Sequence, residues 1–330
     1  MKTHAASSAI WPTRRMSCAG STTHLPTCIS RCAAGDFVRA STPRALFRIV
    51  RAAVAVAISI LLVGARTGWR GHGRRARESA ALRSIAARML RALGISVQSI
   101  GAPRSGPSLV VANHQSWLDI LVLSAAAPMV PVAKSEVGNW PVIGWLARKC
   151  GTLFVRRSCW RDLPSVVAQM TLAMRQGHRV QIFPEATTRC GGAVDEFYRS
   201  AFQAAIDAAV VVQPVALQYR QGHQSTTAAA FVGEMNVMAS VRRVLTCRQL
   251  TVTVNWLPAI PAIAGTGVAA VDRRRLCELA FNAVARALNQ DVIYRQQAHR
   301  PRNITSADSI TNPGAIAATS AVLADGSTSA

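Results

Sequence analysis

From Glu78 to about residue 295 the chain repeatedly switches its hydrophobic period, and few folds accept that rhythm. Ser108–Ala112, Met129–Ala133, Gly151–Val155, Arg179–Phe183, Val210–Tyr219 and Leu250–Leu257 are short apolar runs and read as strands. Helical spacing fills the gaps. Ala80–Leu93 stops at Gly94, Ser135–Lys149 is broken near Pro141, and a face carrying Leu163, Val166, Val167 and Met170 closes at Gly177. Asp195–Ala209 is another helix, and Asp272 caps a last one carrying Leu276, Leu279, Val284 and Leu288. Strands alternating with helices predict an α/β fold, a β-sheet flanked by helices.

A different pattern precedes this region. Ala52–Ala65 is an uninterrupted apolar stretch, and a basic run, Arg66 to Arg77, follows it. Taken as a helix it is about 21 Å long, short of the roughly 30 Å bilayer core. Extending it back to Ala45 requires Arg48 and Arg51 to snorkel toward headgroups. Three arrangements fit: an interfacial or hairpin anchor, a single span, and a buried core helix. Residues 1–44, rich in Ser, Thr and Arg, read as a disordered or targeting extension, and residues 296–330 as a disordered tail. The expected organisation is therefore an extension (1–44), a membrane-anchoring helix with its basic segment (45–77), a folded domain (78–295) and a tail (296–330).

Charge narrows the partners. The formal net charge is +23, and residues 1–90 hold fifteen Arg and Lys against Asp36 and Glu78. Such a surface attracts an anionic partner, nucleic acid or an anionic membrane. The apolar segment favours the membrane, and no zinc finger or RNA-recognition motif supports nucleic acid. None of the eight cysteines forms a two-residue metal or redox spacing, so they are expected to be reduced and structural, with no metal or bound cofactor. The excess of Arg over Lys and the abundant Ala point to a GC-rich bacterial genome, hence the cytoplasmic face of an inner membrane.

Val110–Ile120, VVANHQSWLDI, carries the chemistry. An apolar strand ends in Asn113-His114, and a helix starting near Ser116 puts Asp119 in its first turn. His114 and Asp119 then converge at the sheet's carboxyl edge, where open α/β sheets place ligands. A carboxylate on one imidazole nitrogen fixes the tautomer and frees the other nitrogen to take a proton. Such a pair suits activation of a substrate hydroxyl toward an acyl carbonyl. Ser116-Trp117-Leu118-Asp119 also has the form of a capping box, in which Asp119 only closes a helix end.

Asn113 to Asp119 resembles the His-x4-Asp motif of the glycerolipid acyltransferase family, specifically the 1-acylglycerol-3-phosphate acyltransferases. Further blocks follow in the family's order. Lys134 to Gly144 resembles the segment after the catalytic strand and helix, and Gly151 to Arg157 the second block. Phe183 to Arg189 resembles the third, and Val212-Gln213-Pro214-Val215 the fourth. The resemblance covers roughly residues 85–260 and implies a mixed β-sheet flanked by helices. It implies transfer of a fatty acyl group from acyl-CoA or acyl carrier protein to 1-acylglycerol 3-phosphate, giving phosphatidic acid. His114 would be the general base and Asp119 its orienter. Arg157, with Glu185, Thr187 and Thr188, would hold the acceptor's phosphate-bearing head, an Arg fork matching phosphate by charge and geometry. Lys134 is either a donor to the oxyanion or a solvated strand-end lysine.

Two departures put the acceptor's head group in question. Ala186 stands where the third block usually has Gly, and Thr188 stands where an arginine is common, with Arg189 one place later. A lyso-ornithine-type aminolipid is the alternative acceptor. Two other functions compete: a His-dependent lipid hydrolase or thioesterase, for which no G-x-S-x-G elbow exists, and a non-catalytic membrane protein on this fold. The Trp140–Trp145 stretch lines an acyl tunnel, dips into the bilayer interface, or is core.

Overall fold

The computed structural model describes residues 37–65, 73–156, 162–191, 194–233, 235–262 and 269–288. The extension up to residue 36, residues 66–72 of the basic run, Arg157 and the carboxyl-terminal tail lie outside them.

Helix α1 spans Thr42–Gly64, with Pro43 in the first turn, where its missing N–H leaves no bond unmade. Its 23 residues exceed the apolar run because the Arg48 and Arg51 side chains find protein acceptors. At about 1.5 Å per residue the helix is roughly 35 Å long. Among the described residues it is the one helix long and apolar enough to cross a membrane, and only 22% of its most apolar window is buried. A core helix would not be so open. Ala45, Arg48, Ala55, Ser59 and Val63 face inward, while Leu46, Phe47, Val50, Val54 and Leu61 are exposed. Arg48 does not snorkel. It is buried, and its Nη1 donates to Leu245 O at 3.1 Å and Cys247 O at 2.5 Å. Arg51 reaches Arg91 O at 2.8 Å.

Helix α2, Arg74–Leu93, packs against α1 and ends at Gly94, whose φ of 70° is left-handed. A Cβ at Gly94 would lie 2.6 Å from Arg48 Nε, so the glycine also makes room for that side chain. Next come β1 (Ser96–Ile100), β2 (Ser108–Ala112), α3 (Leu118–Ala126), β3 (Val130–Lys134), the single turn α4 (Ser135–Gly138), α5 (Pro141–Lys149) and β4 (Leu153–Val155). The chain continues through α6 (Leu163–Arg175), β5 (Arg179–Ile182), a 3-10 turn (Arg199–Phe202), α7 (Gln203–Asp207), β6 (Val211–Gln221) and β7 (Gln224–Ser225). It finishes with α8 (Val237–Thr246), β8 (Leu250–Trp256) and α9 (Ala269–Ala287).

The break near Pro141 separates α4 from α5 as the sequence predicts, and Trp145 packs against the cluster of Val63, Leu82, Ile85 and Leu146. The helix expected over Asp195–Ala209 is shorter. Asp195 and Tyr198 give their N–H groups to Glu185 Oε2 and Pro184 O, so this stretch follows the site loop instead of winding. Asp272 falls within the first turn of α9 rather than before it. Strand β1, exposed at every position, and helix α8 were not anticipated.

Among the described residues the sheet order is β1-β8-β6-β2-β5-β3-β4, with β7 added to β6. The β6–β8 and β6–β7 pairs are antiparallel and the rest parallel, which makes the sheet mixed. Strand β2 lies in the middle with all five residues buried. Leu109 and Val111 point to one core with Met170, Phe202 and Phe281. Val110 and Ala112 point to the other with Leu118, Leu217 and Tyr219. Both faces are covered, as a sheet with parallel strands requires.

Exchange of Arg48 for Met keeps the apolar stem but strips two buried carbonyls of their charged donor. We expect Arg48→Met to destabilise the fold by about 1.5–3 kcal/mol, read as a lower denaturation midpoint in detergent.

Candidate active site

Strand β2 delivers the site through Asn113, whose amide closes two bonds on one β6 residue. Asn113 Nδ2 donates to Leu217 O at 3.0 Å, and Leu217 N donates to Asn113 Oδ1 at 2.8 Å. Gln115 Nε2 adds a bond to the same carbonyl at 2.8 Å. The loop between β2 and α3 is thereby tied to the neighbouring strand, and His114 sits between the ties.

His114 Nδ1 lies 2.8 Å from Asp119 Oδ2. That oxygen also accepts from Gln115 N at 2.7 Å and Ser116 N at 2.9 Å. The capping reading and the pairing reading thus hold together, since one carboxylate oxygen closes the helix start and meets the imidazole. Asp119 is fully buried and His114 nearly so. The Phe183 ring stacks on the imidazole, centroids 4.1 Å apart and planes 15° from parallel. With the proton of Nδ1 directed at a carboxylate, the Nε2 lone pair is the one left to take a proton.

The other carboxylate oxygen meets a residue to which the sequence reading gave no role. Tyr219 OH, carried on β6, donates to Asp119 Oδ1 at 2.5 Å. No local pattern could have flagged it, because the two residues are a hundred positions apart.

The loop after β5 closes the site from the other side. Glu185, buried, accepts His114 N at 2.9 Å on Oε1 and Asp195 N at 3.3 Å on Oε2. Burial pushes its carboxyl well above the usual carboxylate range. The Asp119 charge adds to this, and the His114 N–H and the Arg189 charge oppose it. Glu185 therefore holds the backbone of His114 through one oxygen and that of Asp195 through the other. Arg189 N donates to His114 O at 2.7 Å, and its guanidinium pairs with Asp195 while Nε is buried without a partner. Thr188 Oγ1 donates to Phe231 O, whose own N–H bonds Gln115 O at 2.9 Å, so Thr188 knits loops together, and Thr187 is exposed. Lys134 stands apart at the end of β3, about half exposed and 3.0 Å from Glu136. Strand β5 lies between β3 and β2. Arg157 lies outside the described residues.

Ala186 has φ of 56°, the left-handed region a glycine would enter freely. The turn needs it, because Ala186 N must return to Phe183 O at 3.1 Å to aim Glu185 inward.

The chain itself is similar to known proteins. A model of the acyltransferase family matches residues 95–218. A lyso-ornithine lipid O-acyltransferase from Pseudomonas aeruginosa is 36% identical over 202 residues, 61% of this chain and 76% of the relative. A 1-acyl-sn-glycerol-3-phosphate acyltransferase from Neisseria gonorrhoeae is 35% identical over 149 residues, 45% of this chain and 58% of the relative. The crystal structure of the 1-acyl-sn-glycerophosphate (LPA) acyltransferase PlsC from Thermotoga maritima superposes with a TM-score of 0.55 at 18% identity, over 75% of this chain and 94% of that one.

Two exchanges test the loop. Ala186→Gly relieves the left-handed strain and is expected to raise stability by about 1 kcal/mol in chemical denaturation. Glu185, with its folded pKa raised, contributes stability that is present below the unfolded carboxylate pKa and lost as pH rises through the folded value. Melting curves of Glu185→Gln should lack that loss on raising the pH above the unfolded carboxylate pKa, and parallel curves for variant and wild type would contradict it.

Proposed function

From the premise that this chain belongs to the acyltransferase family, we propose that it carries a fatty acyl group from a thioester to the free hydroxyl of a lyso-lipid, with His114 as base. The observation that carries this is the buried His114–Asp119 pair, 2.8 Å apart, at the carboxyl end of a central strand. The acceptor's hydroxyl comes within hydrogen-bond reach of His114 Nε2. As its oxygen attacks the thioester carbonyl, its proton passes to Nε2, and Asp119 stabilises the imidazolium that forms. Collapse of the tetrahedral intermediate breaks the carbon–sulfur bond, and the imidazolium returns the proton to the departing thiolate. Acyl-CoA or acyl carrier protein supplies the thioester. Arg157 and Arg189 are the cations assigned to the acceptor's head.

Lysophosphatidic acid is the first acceptor to consider. A second reading, a lyso-ornithine-type aminolipid, draws on a specific feature: the Arg189 guanidinium is already paired with Asp195. A neutralised arginine attracts a phosphate dianion weakly, whereas an arginine–carboxylate pair complements a head group carrying both an ammonium and a carboxylate. The first relative described above bears the name of that activity. The membrane enters through α1, whose exposed apolar face suits a bilayer and whose basic continuation suits anionic headgroups on the cytoplasmic face of an inner membrane.

The test is acyl transfer from labelled oleoyl-CoA and acyl carrier protein by solubilised enzyme, with lysophosphatidic acid, other lysophospholipids and lyso-ornithine lipid as acceptors. We expect diacyl product that depends on the acceptor and falls about 10²–10⁴-fold in His114→Ala. The acceptor turned over selects between the two head groups. Fatty acid released without acceptor, or turnover untouched in His114→Ala, would refute the assignment.

A further inference from the structure

Asp119 is a fully buried carboxylate whose two oxygens are served unequally. Oδ2 takes His114 Nδ1 and the N–H groups of Gln115 and Ser116, while Oδ1 takes the Tyr219 hydroxyl at 2.5 Å. Tyr219 is itself 2% exposed, and its ring packs in the core that holds Leu118 and Leu217. Its strand is fixed by the β6–β2 ladder and by Asn113, so the hydroxyl has one place to go. The Ser116 side chain lies within hydrogen-bonding reach of the same phenol.

We propose that Tyr219 is a positioning residue for acyl transfer, its hydroxyl locking the rotation of the Asp119 carboxylate so that Oδ2 stays on His114 Nδ1. The assignment rests on the reading of His114 as base and Asp119 as its orienter. A carboxylate turns about its Cβ–Cγ bond, and three donors on one oxygen leave the other as the free end. An unpaired carboxylate oxygen in a dry site is strongly unfavourable, so without the phenol the group takes up a proton or swings toward another donor. Either event weakens the negative charge that faces the imidazolium in the transition state.

Tyr219 is suited to this because it stays a donor. Burial, joined by the Asp119 charge and the hydrogen bond to it, pushes the hydroxyl well above the ordinary phenol range. Glu185 is the further titratable group that feels the Asp119 charge, and Arg189 and Cys190 act on Glu185 in turn. Glu185 receives the backbone N–H of His114, and Arg189 is held by Asp195, so each is engaged away from Oδ1. Since the phenol touches neither acceptor nor donor in this account, its loss should appear in kcat rather than in KM.

The experiment is a cycle of wild type, Tyr219→Phe, Asp119→Asn and the double variant, assayed at steady state in detergent. Tyr219→Phe should lower kcat roughly 10- to 100-fold, the usual worth of a hydrogen bond to a charged group, with acceptor KM within about twofold. On the Asp119→Asn background the same exchange should lower the residual kcat by less than about twofold, because the two residues act as a unit. A kcat for Tyr219→Phe within about twofold of wild type, or equal losses on both backgrounds, overturns the proposal while leaving the pair intact. Full activity of Asp119→Asn would instead remove the reading of the pair on which the proposal stands. If Tyr219→Phe fails to fold, 3-fluorotyrosine replaces tyrosine in a Tyr198→Phe, Tyr294→Phe background, where Tyr219 is the one tyrosine left of the chain's three. A kcat changed by the more acidic phenol supports the proposal, and an unchanged kcat overturns it.

Discussion

A carboxylate excluded from water must be surrounded by donors, and the architecture around Asp119 follows from that requirement. Two of its donors are amides of the loop that precedes α3, one is the imidazole of His114, and one is a phenol from β6. The loop holds its shape because the carboxylate collects its N–H groups, and α3 starts where it does for the same reason. The imidazole is aimed because the carboxylate faces it. Imidazole orientation and helix capping thus draw on one charge, which explains how a short stretch of chain aims the His114 ring.

The opposite wall of the site is built at some expense in backbone energy. Ala186 sits in a left-handed conformation, and Asp195 and Tyr198 forgo helical bonding to close the loop over Pro184 and Glu185. Strain of this kind persists where the surroundings over-determine it. Here the surroundings are a buried glutamic acid that binds the backbone N–H of His114, and an arginine whose own N–H binds the His114 carbonyl. His114 is therefore clamped through its main chain from one loop and through its ring from another.

The amino-terminal helix is joined to this machinery rather than loosely appended. Arg48 reaches from α1 to the carbonyls at the end of α8, a position that also suits a cation beside a helix carboxyl terminus. Helix α8 in turn holds Trp117, through the Ser240 hydroxyl at 3.1 Å, at the threshold of α3. A helix that presents leucine and phenylalanine outward and arginine inward keeps its apolar face open while staying keyed to the sheet.

The sequence by itself determined the alternation of strands and helices, the apolar helix at the front, and the pairing of His114 with Asp119. These depend on residues close in the chain, where period and spacing are legible. It also pointed to Glu185 and to the awkward Ala186, though not to what Glu185 touches. Only the tertiary structure decided that Tyr219 completes the carboxylate, that Asn113 locks onto Leu217, that Arg48 turns inward, and that Asp195 neutralises Arg189. The exposed strand β1 was equally silent, since its apolar residues, Val97 and Ile100, lack the alternation that betrays a half-buried strand. Contacts between residues far apart in the chain leave no period to read, because burial in a shared site creates them rather than local backbone preference.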